Sequence, residues 1–406
     1  MHSEQSFLIN LVTILLASGI GGYLFRKWDQ PKVLGQILAG VIVGPSILGL
    51  AHQTDFIANL AEIGVILLMF MAGLETDLEE LKNSFHKSSA IAVGGVVLPF
   101  VMGVGGMYLF KGDLPLSEAV FVGVILTATS MGITVQMLTD MGRLQTSMGM
   151  SILGAAVIDD IAGVIILTIV MGVFGSGHTD VMGLMIKIAA FFGIIAIVGV
   201  VIKDFVKDND AEIKKLKAIH LLGVSLIMVL SFAIFASELG MAAIIGAYFV
   251  GVIISTTQVK HRINHEIEKV GHGFFIPIFF ANIGVGIDLG SIANYLWLAL
   301  FVTFVGIVSK IVGSGIGAKM SGFSKKESVQ IGISMIPRAE VALIVANLGL
   351  KAQLIGQDVY TSIIMLVIGT TIAAPLLLKQ SEKMKDATIM TGKNDKLKVS
   401  HAVSKN

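Results

Sequence analysis

Two adjacent carboxylates, Asp159 and Asp160, stand in the middle of an otherwise apolar stretch, ILGAAVIDDIAGVIIL. A carboxylate at the centre of a bilayer costs about 2.5–3.5 kcal/mol on insertion scales, so such residues usually have a function. Successive helical residues point about 100° apart, so the two side chains face different surroundings. We expect one to hold a fixed ion pair and the other to face a cavity, where it exchanges a proton for an alkali cation. The alternative is that both are structural.

Two basic residues also lie within apolar stretches. Lys310, in VGIVSKIVGSGIGAK, is a natural partner for one of the aspartates, unless its side chain extends to the membrane surface. Arg338 lies in SMIPRAEVAL between Pro337 and Glu340, where the proline disrupts the helix. We expect Arg338 and Glu340 to neutralise each other or to cap half-helices, and both a structural role and a role in transport are open.

A hydroxyl-rich stretch, TATSMGIT, contributes Thr129 and Ser130 to the set of candidate residues. Such residues commonly join membrane helices through hydrogen bonds. Opposite Asp160, the same hydroxyls and the carbonyls of an interrupted helix would instead form a cation site. The residues alone leave these two interpretations open.

The composition is that of a membrane protein. Of the 406 residues 54% are hydrophobic and 14% charged, against about 25% charged in soluble chains. A net charge of +1 gives no support for nucleic-acid binding, and the lack of cysteine excludes disulfides and thiolate metal sites. No P-loop, zinc spacing or nucleophile constellation is present, and adjacent aspartates do not fit an aspartyl protease. The sequence therefore predicts a transporter rather than an enzyme.

Apolar segments of a length that can span a bilayer recur about thirteen times along the chain. Their approximate limits are 6–25, 33–50, 57–74, 88–110, 116–139, 146–173, 181–202, 218–237, 240–257, 267–287, 292–318, 327–349 and 357–378. Lysine and arginine concentrate in alternate loops and in the C-terminal tail. The positive-inside rule then places the N-terminus outside and the C-terminus in the cytosol.

An odd number of spans suggests two six-helix halves related as inverted repeats, with the segment 181–202 as the linker between them. This arrangement pairs 116–139 with 327–349, and both are interrupted by polar residues or proline. Polar interruptions in corresponding segments are the best sequence indication of a transport site. Residues 381–406 form a short polar tail.

Six motifs together resemble a known family. They are LGQILAGVIVGPSILG, ILLMFMAGLETDLEEL, TATSMGITVQMLTDMGRL, GAAVIDDIAGVIIL, FFIPIFFANIGVGIDL and IPRAEVALIVANLG. Over residues 1–380 the chain resembles the cation:proton antiporter-2 family of sodium/hydrogen exchangers, which includes NapA-type antiporters and the membrane part of Kef potassium systems. The resemblance implies an all-α polytopic fold of the NhaA/NapA kind with two broken crossing helices.

The resemblance also implies an architecture and a mechanism. A panel, about 1–75 and 218–287, would form the interface of a homodimer in the lipid bilayer. A core, about 88–173 and 292–378, would carry the ion by an elevator-like shift. No cofactor is implied, and the nucleotide-binding regulatory domain of the Kef branch is absent from this sequence.

Carried over residue by residue, the resemblance makes Asp160 the carboxylate that binds Na⁺ and H⁺ and Asp159 the partner of Lys310. It places Thr129 and Ser130 at the crossing of the broken helices, opposite IPRAE. Two aspartates with an intramembrane lysine resemble the electrogenic sodium subgroup rather than the Gln-Asp form of Kef proteins.

The expected function is exchange of cytosolic Na⁺, and of Li⁺, for external H⁺ across a bacterial-type inner membrane. The alternatives are K⁺/H⁺ exchange within the same family and sodium-coupled solute symport. A channel is disfavoured because no selectivity-filter loop is present. Gln36 and Ala339 depart from the glutamate and glycine common in the family, which leaves details of the site open.

Overall fold

The computed structural model describes residues 2–28, 32–174, 181–209, 212–213, 216–286 and 295–382, and these form helices and their connections, with no strand among them. The all-α prediction is confirmed for this part of the chain. The helices are α1 His2–Lys27, α2 Lys32–Val43, α3 Asp55–Glu75, α4 Leu78–Asn83, α5 Phe85–Lys111, α6 Leu116–Thr127, α7 Met131–Asp140, α8 Ser147–Phe174, α9 Val181–Asp208, α10 Ala218–Glu238, α11 Ala243–Ser255, α12 Lys260–Val270, α13 Ile276–Val285, α14 Leu296–Met320, α15 Lys325–Ser334, α16 Glu340–Lys351 and α17 Gln357–Glu382. A π-helical segment, Gly271–Phe275, joins α12 to α13.

Nine helical segments in the described ranges are long and apolar enough to cross a membrane, with α6 and α7 counted as one interrupted segment. Three further apolar helices are shorter, namely α2, α11 and the part of α16 from Val341. The count of thirteen crossings and the inverted repeats therefore stay predictions. Most of the predicted tail, from residue 383 onward, lies outside the described residues.

Several helix ends differ from the sequence expectation, and the expected span 267–287 consists of the end of α12, the π-helical segment and α13, with α12 beginning at Lys260. Helix α2 ends at Val43 rather than near residue 50, because Pro45 disfavours the helical conformation at the residue before it. Helix α9 continues to Asp208, since the charged run after residue 202 begins with residues such as lysine that favour helices. Helix α17 continues to Glu382, into the segment expected to be a tail.

A first group of helices, α1–α3 and α10–α13, packs largely against its own members, most extensively α3 on α11, α1 on α2 and α2 on α13. Glycines let α3 and α11 touch backbone to backbone. A Cβ added to Gly73 would lie 2.1 Å from the carbonyl oxygen of Tyr248. A side chain larger than hydrogen at this position would therefore push the two helices apart.

A second group, α5–α8 and α14–α17, is centred on a long contact between α5 and α14. A Cβ on Gly94 would lie 2.1 Å from the carbonyl oxygen of Gly313, so the two backbones meet at van der Waals distance. This contact brings Lys310, one turn before Gly313, against the backbone of α5. Helix α9 contacts both α8 in this group and α11 in the first.

One lysine ties three helices of the second group together at their ends. Nζ of Lys111, the last residue of α5, lies 2.6 Å from Oε1 of Glu118 on α6 and 2.7 Å from Oδ2 of Asp358 on α17. All three side chains are largely shielded from solvent, with 14–29% of each exposed. The cluster therefore fixes where α6 and α17 begin relative to α5.

We predict that Lys111→Met lowers the thermal unfolding midpoint of the purified protein by roughly 1–4 °C, because two partly exposed ion pairs contribute about 0.2–1 kcal/mol each. The measurement is intrinsic-fluorescence melting in detergent. Lys187→Met removes the same charge from an exposed position on α9 and is the matched control. Equal melting of Lys111→Met and the wild type would contradict a stabilising role for the cluster.

Candidate functional site

Two interruptions in long helical segments contact each other inside the second group. Residues 128–130 separate α6 from α7, and residues 335–339 separate α15 from α16. The backbone N–H of Ser130 donates to the carbonyl oxygen of Pro337 at 2.7 Å. Each break thus satisfies a backbone group that the other leaves without a helical partner.

Lys310 lies beside this crossing and is fully buried. Its Nζ donates to Oδ2 of Asp159 at 2.7 Å, to the carbonyl of Gly95 at 2.7 Å and to the carbonyl of Thr127 at 2.8 Å. These contacts use all three donors of the ammonium group. Because Thr127 ends α6, its carbonyl belongs to the partly negative end of that helix, which also favours the positive charge.

Asp159 is held from two sides. Its Oδ2 accepts the bond from Lys310 and a second one, at 2.5 Å, from Oγ1 of Thr129. The carboxylate is 3% exposed and joins α8 to α14 and to the break between α6 and α7. Removal of one partner from a buried ion pair leaves an uncompensated charge, so this contact constrains the relative positions of all three.

Arg338 occupies the core of the second break and is also fully buried. Its guanidinium donates to the carbonyls of Ile336 and Leu126, both at 2.6 Å, and to that of Gly306 at 3.3 Å. The carbonyl of Leu126 belongs to the last turn of α6, so Arg338 and Lys310 both cap this helix end. Glu340 begins α16, and its side chain lies outside the described residues.

Asp160 faces a different environment from its neighbour. It is buried, with 8% of its surface exposed against 3% for Asp159, and it lines a cavity of about 50 Å³, here the Asp160 cavity, which Asp159 lines as well. Ala128 of the first break lines this cavity too, as does Val341 in the first turn of α16. The start of a helix carries a partial positive charge that favours a nearby carboxylate. The hydroxyl oxygen of Ser130 is buried and has no hydrogen-bond partner among the described residues.

A second cavity of about 550 Å³, here the large cavity, lies between the two groups of helices. Helices α3, α11 and α13 form one wall, and α16 and α17 form the other. The large cavity shares two lining residues, Ala242 and Val341, with the Asp160 cavity. Exposed residues at the start of α3 and at the ends of α10 and α13 lie at its mouth, so it opens on that face of the molecule.

On the opposite face the two groups contact each other. Asp140, the last residue of α7, makes hydrogen bonds with the backbone of Lys32 and Val33 at the start of α2. Its Oδ1 also accepts a bond from Nε2 of Gln136 at 2.7 Å. A carboxylate at the start of a helix is stabilised by the unpaired N–H groups there, so α7 is tied to α2 at this end.

Several contributors to the site are backbone groups that sequence reasoning did not identify. The carbonyls of Gly95, Leu126 and Gly306 accept hydrogen bonds from the two buried cations. Every residue has a carbonyl, so residue types give no direct signal for this role. The one sequence signal is the pair Gly94 and Gly95 on α5, which lies opposite a glycine-rich segment of α14. Glycines on both helices indicate that their backbones can approach closely.

A sequence model described as "Sodium/hydrogen exchanger, transmembrane" matches residues 12–380. The chain belongs to the sodium/hydrogen exchanger family. This exchanger is 39% identical over 395 residues to the Bacillus cereus protein named Na⁺/H⁺-K⁺ antiporter GerN, which covers 96% of this chain and all of that protein. It is 34% identical over 382 residues to an Na⁺/H⁺ antiporter of Enterococcus hirae, covering 93% of this chain and 99% of the other.

The fold of the exchanger is similar to the solved structure of the sodium proton antiporter MjNhaP1 from Methanocaldococcus jannaschii at pH 8. The TM-score is 0.72, with 94% of this chain and 99% of that chain covered. At 15% identity this similarity concerns the fold alone. The family assignment makes the exchanger a cation/proton antiporter in a membrane, rather than an enzyme.

The buried ion pair gives a prediction about stability. We expect Asp159→Asn and Lys310→Met each to cost about 3–5 kcal/mol, because each leaves an uncompensated charge in a dry site. The double variant Asp159→Asn/Lys310→Met removes both charges and should melt well above either single variant. The measurement is fluorescence-detected melting of the three purified proteins in detergent. Additive losses in the double variant would contradict a direct energetic coupling between the two side chains.

Proposed function

We propose that this exchanger moves cytosolic Na⁺ out of the cell in exchange for external H⁺, and that Asp160 binds the two ions in turn. The observation that carries the proposal is the unequal surroundings of the adjacent carboxylates. Both residues line the Asp160 cavity, but the carboxylate of Asp159 is held by Lys310 and Thr129, and Asp160 is the more exposed of the two, at 8% against 3%. A carboxylate at a cavity can bind a hard alkali cation when ionised and a proton when the cation has left.

The charges around the crossing support coupling between the two ions. Asp159, Asp160, Lys310 and Arg338 carry formal charges that cancel when all four are ionised. One Na⁺ or one H⁺ at Asp160 changes this balance by the same single positive charge, so electrogenic exchange needs a second proton, which is the one that Lys310 would release. The two ions therefore compete for one carboxylate, and the site returns across the membrane with one of them bound.

An elevator-type cycle is the movement that the packing supports best. Helices α5–α8 and α14–α17 are the proposed core, and α1–α3 with α10–α13 the proposed panel and dimer interface. The large cavity separates the two parts on one face, and the bond from Asp140 to the start of α2 joins them on the other. The core would slide along the panel after this bond breaks.

The proposed orientation makes the described state outward-facing. The chain would cross the inner membrane thirteen times as two inverted repeats, with the N-terminus outside, as the distribution of lysine and arginine suggests. The mouth of the large cavity then lies on the external face. Exposed apolar residues on α1, among them Leu16 and Ile20, are suited to lipid or to a second copy of the chain.

The ion proposed is Na⁺, with Li⁺ accepted as well. Two aspartates with a buried lysine favour the NapA-type subgroup over the Kef branch and favour electrogenic exchange, in which Lys310 loses its proton when Asp159 becomes available to a cation. K⁺/H⁺ exchange is the second candidate, because the name of the 39% identical Bacillus cereus relative includes K⁺.

The test uses everted membrane vesicles from cells that lack their own antiporters, with a respiration-generated pH gradient and a fluorescent pH probe. We predict that Na⁺ and Li⁺ dissipate the gradient in the wild type and that Asp160→Asn abolishes the response, because the isosteric amide binds neither a proton nor a cation. Asp204→Asn removes an exposed carboxylate on α9 and serves as the control.

A response to K⁺ alone would move the exchanger to the potassium branch and keep the mechanism. A response that persists in folded Asp160→Asn would contradict the role of Asp160. A response that requires an added organic solute would favour symport. An imposed membrane potential that leaves the rate of exchange unchanged would count against electrogenicity.

A further inference from the structure

The wall of the large cavity carries a carboxylate that the proposed cycle does not use. Among the described residues that line it, Glu62 on α3 has the only formal charge. Most of the others are apolar, and the polar ones include Gln53 at the mouth and Asn282 on α13. Glu62 is exposed to the cavity, so its negative charge does not carry the full cost of burial.

Asn282 adds an oxygen to the same wall. Its Oδ1 is buried and has no hydrogen-bond partner among the described residues. An amide oxygen without a partner costs free energy unless it meets a donor or a cation. Carboxylate and amide oxygens are ligands suited to hard cations.

The packing of α3 on α13 places Glu62 and Asn282 at a similar depth. A Cβ on Gly64 would lie 3.1 Å from Cβ of Phe279, and one on Gly286 would lie 3.1 Å from Oε1 of Gln53, so the two helices run antiparallel. From the first contact, Glu62 lies two residues toward the start of α3, and Asn282 lies three residues toward the end of α13. Because Gly64 also faces the carbonyl of Phe275, one turn before Phe279, the contact spans that turn, and both Glu62 and Asn282 lie on its mouth side.

We infer that Glu62 and Asn282 form a second site for monovalent alkali cations, here the recruiting site, between the mouth of the large cavity and Asp160. A cation leaving Asp160 during export passes this site, and the site concentrates cations at the cavity when exchange runs in the reverse direction. The inference rests on the proposed cation exchange and extends it to a second site. Low-dielectric walls lined by one sign of charge raise the local concentration of counter-ions. Ala242 and Val341 line both the large cavity and the Asp160 cavity, so the two cavities adjoin.

The prediction is an asymmetric change in apparent affinity. In Glu62→Gln, the half-saturating Na⁺ concentration at the cavity face should rise roughly threefold to tenfold, the size of effect expected when one unit charge is removed from a partly solvated cavity wall. The half-saturating Na⁺ concentration at the opposite face should stay within roughly twofold of the wild type, because Glu62 lies in the large cavity, whose mouth is on the other face.

The measurement is the initial rate of proton flux against Na⁺ concentration in right-side-out and in everted vesicles at low ionic strength. Asp55→Asn is the matched control, since it removes a carboxylate from the exposed start of the same helix, outside the cavity lining. Asn282→Leu tests the amide separately and should also raise the half-saturating Na⁺ concentration at the cavity face. Glu62→Gln/Asn282→Asp returns a charge to the wall and should recover affinity.

Each outcome decides between the two proposals. The recruiting site is supported if the loss of Na⁺ affinity is confined to the cavity face and becomes smaller when choline chloride is added, because salt screens the charge of Glu62. An unchanged affinity in Glu62→Gln, an equal shift at both faces, or an equal shift in Asp55→Asn overturns it while the exchange function stands. If the wild type moves no protons in response to any alkali cation, the proposed function fails and the recruiting site fails with it.

Discussion

The interruption of two helices within a membrane protein is the constraint on which this structure depends. Backbone groups freed at a break have no water to bind in the bilayer, and each one left unpaired costs several kcal/mol. Here the breaks lie against each other, and the N–H of Ser130 satisfies the carbonyl of Pro337. The C-terminal carbonyls of α6 are satisfied by Lys310 and Arg338. The two buried cations are thus structural parts of the crossing.

This requirement explains why two carboxylates stand side by side on α8. A buried ammonium group needs a compensating charge, and Asp159 provides it with help from Thr129. Because the next helical residue points in another direction, Asp160 lies beside the crossing without taking part in the Lys310 pair. The proposed transport carboxylate is therefore positioned by a rigid network, while its own side chain faces a cavity.

Most of the long apolar helices and both breaks could be predicted from the sequence, because apolar length, the hydroxyl-rich stretch TATSMGIT and the position of Pro337 are local properties. The charged residues of the site could be identified for a related reason, since a charge within an apolar span is costly wherever it occurs. The hydrogen-bond partners of Lys310 and Arg338 could not be predicted in this way. The carbonyls of Gly95 and Leu126 become acceptors only when α5, α6 and α14 come together, which is a property of tertiary packing.

The end of α2 at Val43 shows a different limit of sequence analysis. Hydropathy alone predicted a helix that continues past Pro45 to residue 50. The two cavities were also beyond sequence reasoning, because each is bounded by helices from distant parts of the chain. Ala242 and Val341, which line both, carry no signal of their own. Residue types thus indicate which groups do chemistry, and packing decides what each of them faces.

The most direct test of the account is the release of protons from purified protein when Na⁺ is added in weakly buffered detergent solution. The account predicts a saturable release in the wild type, its loss in Asp160→Asn, and its retention in folded Asp159→Asn/Lys310→Met, which lacks the ion pair and keeps Asp160. Release that persists in Asp160→Asn and disappears in the double variant would contradict the account, because the exchanged proton would then belong to the Asp159–Lys310 pair.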